Sequence, residues 1–169
     1  MAQQQRNDKS SELVVLKGIN DFTLQLEKLI EATQKELSLL THTLPTNLFA
    51  KGETVDSISS LVRRHKLCNV RILVTEPRDL IHQNHALLQL QQRLPSKILC
   101  RKLSTEVIPP KHSFVIGDQN KLLLQHERDL LNGFSDLNAG PEAQKLLEEF
   151  NHLWDRQSTD IPDLKQLSI

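Results

Sequence analysis

Hydrophobic residues recur along this chain with two periods, one near 3.6 and one near 2, and their order predicts a fold. Residues 1–11 have neither period and read as a disordered N-terminal tail. Glu12 to Leu16 reads as a short edge strand. A helix follows from Asn20 or Asp21, either of which can cap it through a side-chain oxygen. Phe22, Leu26, Leu29, Ile30 and Leu37 follow helical spacing and form its expected buried stripe. Leu37 to Thr43 reads as a strand, left through a loop at Leu44-Pro45-Thr46-Asn47. Val55, Ile58, Leu61 and Val62 predict a second helix, ending at Arg63-Arg64-His65-Lys66.

Val70 to Thr75 is short, β-branched and nearly continuous in apolar residues, the pattern of a strand covered on both faces. Glu76-Pro77-Arg78-Asp79 breaks it. A third helix, from Leu80 or His85 to Leu94, stops before Pro95, and Lys97 to Lys102 is the next strand. Pro109-Pro110 precedes a hairpin over 113–125, turning at Gly117-Asp118-Gln119-Asn120. Gly140-Pro141 opens a last helix, because proline is tolerated at a first helical position. Its packing face is Leu146, Leu147, Phe150, Leu153 and Trp154. Strands alternating with helices imply an α/β fold: a single mixed β-sheet flanked by helices, with a hairpin and a helix at its C-terminal end. No repeat or linker divides residues 12–169, so one domain is expected there.

Composition narrows the function classes. Five Phe, one Trp and no Tyr leave Leu, Ile and Val to fill the interior, which argues against a surface built on base stacking. Lys plus Arg and Asp plus Glu both number 21, and a net charge of zero does not favour nucleic acid as partner. No apolar run approaches the ~20 residues of a membrane span. The start, MAQQQRNDKSSE, lacks the apolar core of a secretory signal, and the expected location is cytoplasmic. Cys68 and Cys100 are too few for a disulfide framework and read as small buried hydrophobes. With five glycines, neither GxGxxG nor a Walker loop can be assembled, and no cofactor is expected.

The hairpin KHSFVIGDQNKLLLQ over 111–125 places Lys111, Ser113 and Asp118 at relative positions 1, 3 and 8. This order resembles one half of a phospholipase D-like domain, whose signature His-x-Lys-x(4)-Asp lies on such a hairpin. The resemblance implies an attacking histidine that forms a phosphohistidine, with lysine and asparagine steadying phosphoryl oxygens. Here Lys111 stands at the nucleophile's position, Ser113 at the lysine's, and Gln125-His126 where Gly-Ser follows in the family. Asp118 alone matches a functional residue, and an Asp in a tight turn needs no catalytic role. His112 is one residue out of register and points to the other face of its strand. The closing segment EEFNHLWDRQSTD resembles the end of an uncharacterised bacterial domain related to the phospholipase D fold, also found beside or fused to small acetyltransferases. The resemblance implies a homodimer, because sites of this family take two halves, and an acetyltransferase as a further partner.

Lys111, Ser113, Asp118, His126 and Arg101 are the candidate ligand-binding pocket, a lysine and a hydroxyl suiting a phosphate or carboxylate. Arg101-Lys102 would join Lys111 if their strands pair. The plainer reading is a solvated hairpin whose Lys and Asp protect an exposed edge. His82 and His85 are three residues apart on a predicted helix but lack the further ligands zinc needs, so no metal is assigned. The basic run 63–66 suits the negative end of a helix dipole as well as an anion. Phe150 and Trp154 read as core. The expectation is a non-catalytic phospholipase D-like domain that binds a protein partner or small anionic ligand. The alternatives are an enzyme with a site rebuilt from Lys111, His112, Ser113 and His126, and an accessory module of an acetyltransferase.

Overall fold

Apolar runs at 37–40, 70–74 and 114–116 form the middle of a sheet, and each is covered on both sides. The computed structural model describes residues 12–78, 80, 84–162 and 164. Its first half comprises β1 (Leu13–Lys17), α1 (Ile19–Ala32), β2 (Glu36–Thr41), α2 (Thr46–Phe49), α3 (Gly52–Arg64) and β3 (Asn69–Val74). The second half adds α4 (Ala86–Arg93), β4 (Ile98–Leu103), β5 (Ser113–Gly117), β6 (Lys121–Glu127), β7 (Leu130–Asp136), α5 (Gly140–Arg156) and β8 (Ser158–Asp160). The strands make an eight-stranded sheet ordered β1-β7-β6-β5-β2-β3-β4-β8. β2, β3 and β4 are mutually parallel, and the remaining pairings are antiparallel.

Strand alternation divides the interior in two. Leu39, Ile72, Val115 and Leu123 face the side covered by α1, α3 and α4, and pack with Phe22, Leu29, Ile58 and Leu87. Leu40, Leu73, Phe114 and Ile116 face the opposite side, where α5 lays down Ala143, Phe150, Leu153 and Trp154. Burying side chains of this size stabilises the fold by about 1.5–3 kcal/mol each. Phe150 and Trp154 stack at 5.7 Å between ring centroids, with Arg71 over the Phe150 ring and Arg101 over the Trp154 ring. The aromatic pair is core, as its spacing predicts.

Several boundaries differ from the sequence expectation. α1 starts at Ile19 with Gly18 at its cap, φ 84°, rather than with Asn20 or Asp21. Asp21 lies within the first turn, where its carboxylate accepts from the Lys17 amide at 2.8 Å. Leu37 belongs to β2 and not to the stripe of α1, because the chain turns extended after Thr33. Thr46-Asn47, expected as the end of a loop, instead opens a single helical turn, Thr46–Phe49, after Pro45. The hairpin is not a sheet edge: β5 lies between β2 and β6, so its turn residues protect no free strand. β7 and β8 have no counterpart in the hydrophobic pattern. Cys68 is buried as expected, its thiol donating to the Gln34 carbonyl at 3.2 Å; Cys100 is only half-buried, though burial of its thiol pushes it up to about 12.

Candidate functional site

The five residues of the expected pocket are spread over the sheet. Ser113 opens β5, Lys111 lies two residues before it, and Asp118 lies just beyond its far end. Ser113 pairs with Gln125, and the two share a small cavity with Phe22 and Leu39 on the α1 side. His126 contacts the Phe134 ring, which packs against the α5-side core. Ser113 and His126 therefore project from opposite faces of the sheet. His112 also points to the α5 side, where its Nε2 meets a Glu149 oxygen at 3.2 Å. Arg101 is on β4, separated from β5 by β3 and β2, so the strands of Arg101 and Lys111 do not pair. The Arg101 guanidinium donates to the Ser158 carbonyl at 2.8 Å and lines a different cavity of about 260 Å³ beside Trp154.

Asp118 is committed to the backbone. Its carboxylate accepts from the amides of Gln34, Lys35 and Glu36 at 3.1, 2.9 and 3.3 Å, and from Lys121 Nζ at 3.2 Å. Burial works against its charge, but the three amides and Lys121 outweigh that and hold its pKa below the usual value. The motif's acid thus fastens the β5–β6 turn to the entry of β2.

A second region gathers polar groups that the motif does not predict. In an open α/β sheet the C-terminal ends of parallel strands leave room for a ligand. Here β2, β3 and β4 end in Thr41-His42-Thr43, Thr75-Glu76 and Ser104-Thr105. Of these, Thr43, Thr75, Glu76, Ser104 and Thr105 line a cleft of about 620 Å³ together with Pro77, Arg78, Lys102 and Pro109. Arg78 and Lys102 have no ion-pair partner among the described residues. Glu76 is different: it pairs with Arg128, and that hydrogen bond holds its pKa below the usual carboxylate value.

His42 sits buried behind the cleft. Its Nδ1 lies 2.7 Å from Thr75 Oγ1, and its Nε2 lies 3.3 Å from the carbonyl of Lys111. Burial lowers its pKa; the Lys111 carbonyl opposes that, Arg128 adds to it, and Glu76 and Asp129 oppose it. The sequence signal for this region is a hydroxyl-bearing residue at or directly after the end of each parallel strand, Thr41, Thr75 and Ser104. It is weak alone, because polar residues end most strands.

His85 caps α4, its Nδ1 accepting from the Leu87 amide at 3.2 Å while Nε2 donates to the Leu44 carbonyl at 3.1 Å. His82 lies outside the described residues. Among the described residues no group of three or more His, Cys, Asp or Glu side chains is placed to hold a metal ion. In the basic run, Arg64 donates to the Thr33 carbonyl and Arg63 to Ser59, as befits the end of α3. No helix among the described residues is long and apolar enough to cross a membrane.

A family model described as a domain of unknown function, DUF7931, matches residues 19–167. No curated protein matches the sequence. Among solved structures, TrmBL2, an archaeal chromatin protein described as showing a novel mode of DNA binding, aligns with TM-score 0.63 and 20% identity. That alignment covers 88% of this chain and 54% of TrmBL2, so the chain spans about half of that protein. Nuc, a phospholipase D family member from Salmonella typhimurium, aligns with TM-score 0.62 and 14% identity, over 90% of this chain and 99% of Nuc. NucT from Helicobacter pylori gives 0.60 and 12%, again over 90% and 99%. At these identities the likeness is one of fold, and the fold is phospholipase D-like.

Proposed function

We propose that this chain, which belongs to the DUF7931 family, is a phospholipase D-like domain that binds a small anionic ligand at its strand ends and lacks phospholipase D turnover. The observation that carries this reading is the cleft itself. Two cations, Arg78 and Lys102, which have no ion-pair partner among the described residues, share it with the hydroxyl residues Thr43, Thr75, Ser104 and Thr105. Cations with hydroxyl donors beside them suit a phosphate or carboxylate group.

The loss of turnover is read from the motif positions. Phosphohistidine formation needs an imidazole where Lys111 stands, and lysine donors where Ser113 stands. Asp118, the acid that remains, already has four donors. The site rebuilt from Lys111, His112, Ser113 and His126 has against it that Ser113 and His126 project from opposite faces and that His112 is engaged by Glu149. The zero net charge gives no support to a nucleic-acid partner.

A panel of chromogenic phosphodiesters tests this reading on purified protein. The expected result is no turnover above that of a mock purification. Hydrolysis that disappears in Lys111→Ala but not in the mock control would overturn it.

A further inference from the structure

The Lys111 carbonyl can only accept a hydrogen bond, so the His42 Nε2 that faces it carries the proton. Nδ1 is then a lone pair, and the Thr75 hydroxyl at 2.7 Å donates to it. A hydroxyl held against an unprotonated imidazole, whose far nitrogen is fixed by a third group, is the arrangement of an activated nucleophile. Main-chain bonds hold both partners: the Thr75 amide donates to the Thr41 carbonyl at 3.0 Å, and the Glu76 amide to the His42 carbonyl at 2.7 Å. Burial favours the neutral imidazole that a base must be, with Arg128 acting the same way against the Lys111 carbonyl, Glu76 and Asp129. Thr75 also lines the cleft that contains Arg78 and Lys102.

The cleft restricts the leaving group too. Glu76 is the acid among its lining residues, and its pairing with Arg128 keeps it a carboxylate with no proton to give. An alkoxide would have to depart without protonation, which is slow; a carboxylate needs none.

We propose that Thr75 is a phosphoryl acceptor, with His42 as its base and a small acyl phosphate as donor, the donor's phosphate dianion lying against Arg78 and Lys102. This rests on the anion-binding reading of the cleft. In the step, Thr75 Oγ1 bonds to phosphorus while the bond from phosphorus to the acyl oxygen breaks, and that oxygen leaves with the electron pair as a carboxylate. The hydroxyl proton passes to His42 Nδ1 and then to solvent. One hydroxyl and one acyl phosphate thus give one phosphothreonine, one carboxylate and one proton.

The test incubates the full chain with acetyl phosphate, locates any adduct by peptide mass spectrometry, and titrates inorganic phosphate in parallel. The expected product carries one phosphoryl group on Thr75. Labelling falls at least ~10-fold in Thr75→Val and in His42→Gln, in keeping with loss of nucleophile or base. Thr75→Ser, which keeps the hydroxyl, retains the label and so separates chemistry from misfolding. The labelling rate rises with pH as His42 loses its proton, and levels off once the imidazole is neutral. An acetyl adduct, equal labelling in Thr75→Val, or a rate indifferent to pH would overturn the inference. Phosphate binding without labelling would overturn it and leave the ligand reading intact; absence of phosphate binding would overturn both.

Discussion

Asp118 has φ 56°, in the left-handed region that Asp and Asn tolerate better than most residues. Its carboxylate joins two segments more than eighty residues apart in sequence, accepting from amides at 34, 35 and 36. Both facts follow from the turn, and neither involves the cleft at the opposite end of β5. Hydrogen bonds to a charged group contribute about 1.5–3 kcal/mol each when the partners are shielded, and less where water competes. Asp118→Ala is therefore expected to lower unfolding free energy by about 1–3 kcal/mol in denaturant titrations, without affecting phosphate binding. Asp118→Gly, which relieves the backbone but removes the same acceptors, should remain destabilised. Unchanged stability in both variants would refute the clamp. Motif spacing made Asp118 visible in the sequence, but its three amide donors come from the β2 entry, which no local pattern connects to it. His42 and Thr75 were illegible for a related reason. Each ends an apolar strand as many polar residues do, and only parallel pairing brings them together.

The elements that were legible are those whose burial follows a single period. α1, α3 and α5 each present one apolar stripe, and β2 and β3 are covered on both faces, so their apolar runs stand out. β7 was hidden by Asn132-Gly133, which reads as a turn. Gly133 is instead required inside a strand, because a Cβ there would lie 1.8 Å from the Leu124 carbonyl oxygen. β6 and β7 would have to part to admit it. Gly133→Ala is expected to cost at least ~2 kcal/mol, with amides of β7 and β1 losing hydrogen-exchange protection before those of β2 and β3. Uniform loss of protection, or none, would contradict that account. β8 is three residues long and has no period to read. The lone turn of α2 is equally short, and its position is fixed by the Pro45 carbonyl, which accepts from the Leu48 and Phe49 amides.

Across the whole molecule, two buried histidines link stability to pH. Burial is the main cause that lowers both His42 and His85 from the ordinary 6.5. The unfolded chain then binds more protons than the folded one between the folded values and 6.5. The stability these groups contribute is fully present above the unfolded value and is lost as pH falls through the folded values. Protonation of His85 would also remove the acceptor that caps α4 at the Leu87 amide. Melting temperature should accordingly fall on acidification from neutral pH to below 6.5, and less so in a His85→Asn variant. A melting temperature unaffected by that acidification would count against the assignment.

Arg78 and Lys102, which have no ion-pair partner among the described residues, lie together in the cleft at the C-terminal ends of β2, β3 and β4. A phospholipase D-like fold that binds an anion there, and not at the Asp118 turn, is the central claim. Titration of inorganic phosphate into isotope-labelled protein, followed by amide chemical shifts, tests it most directly. The account predicts saturable shifts centred on Thr43, Thr75, Arg78, Lys102 and Ser104, weakened in Arg78→Met and in Lys102→Met. Shifts centred on Gln34–Glu36 and Asp118, or no saturable shifts at all, would contradict it.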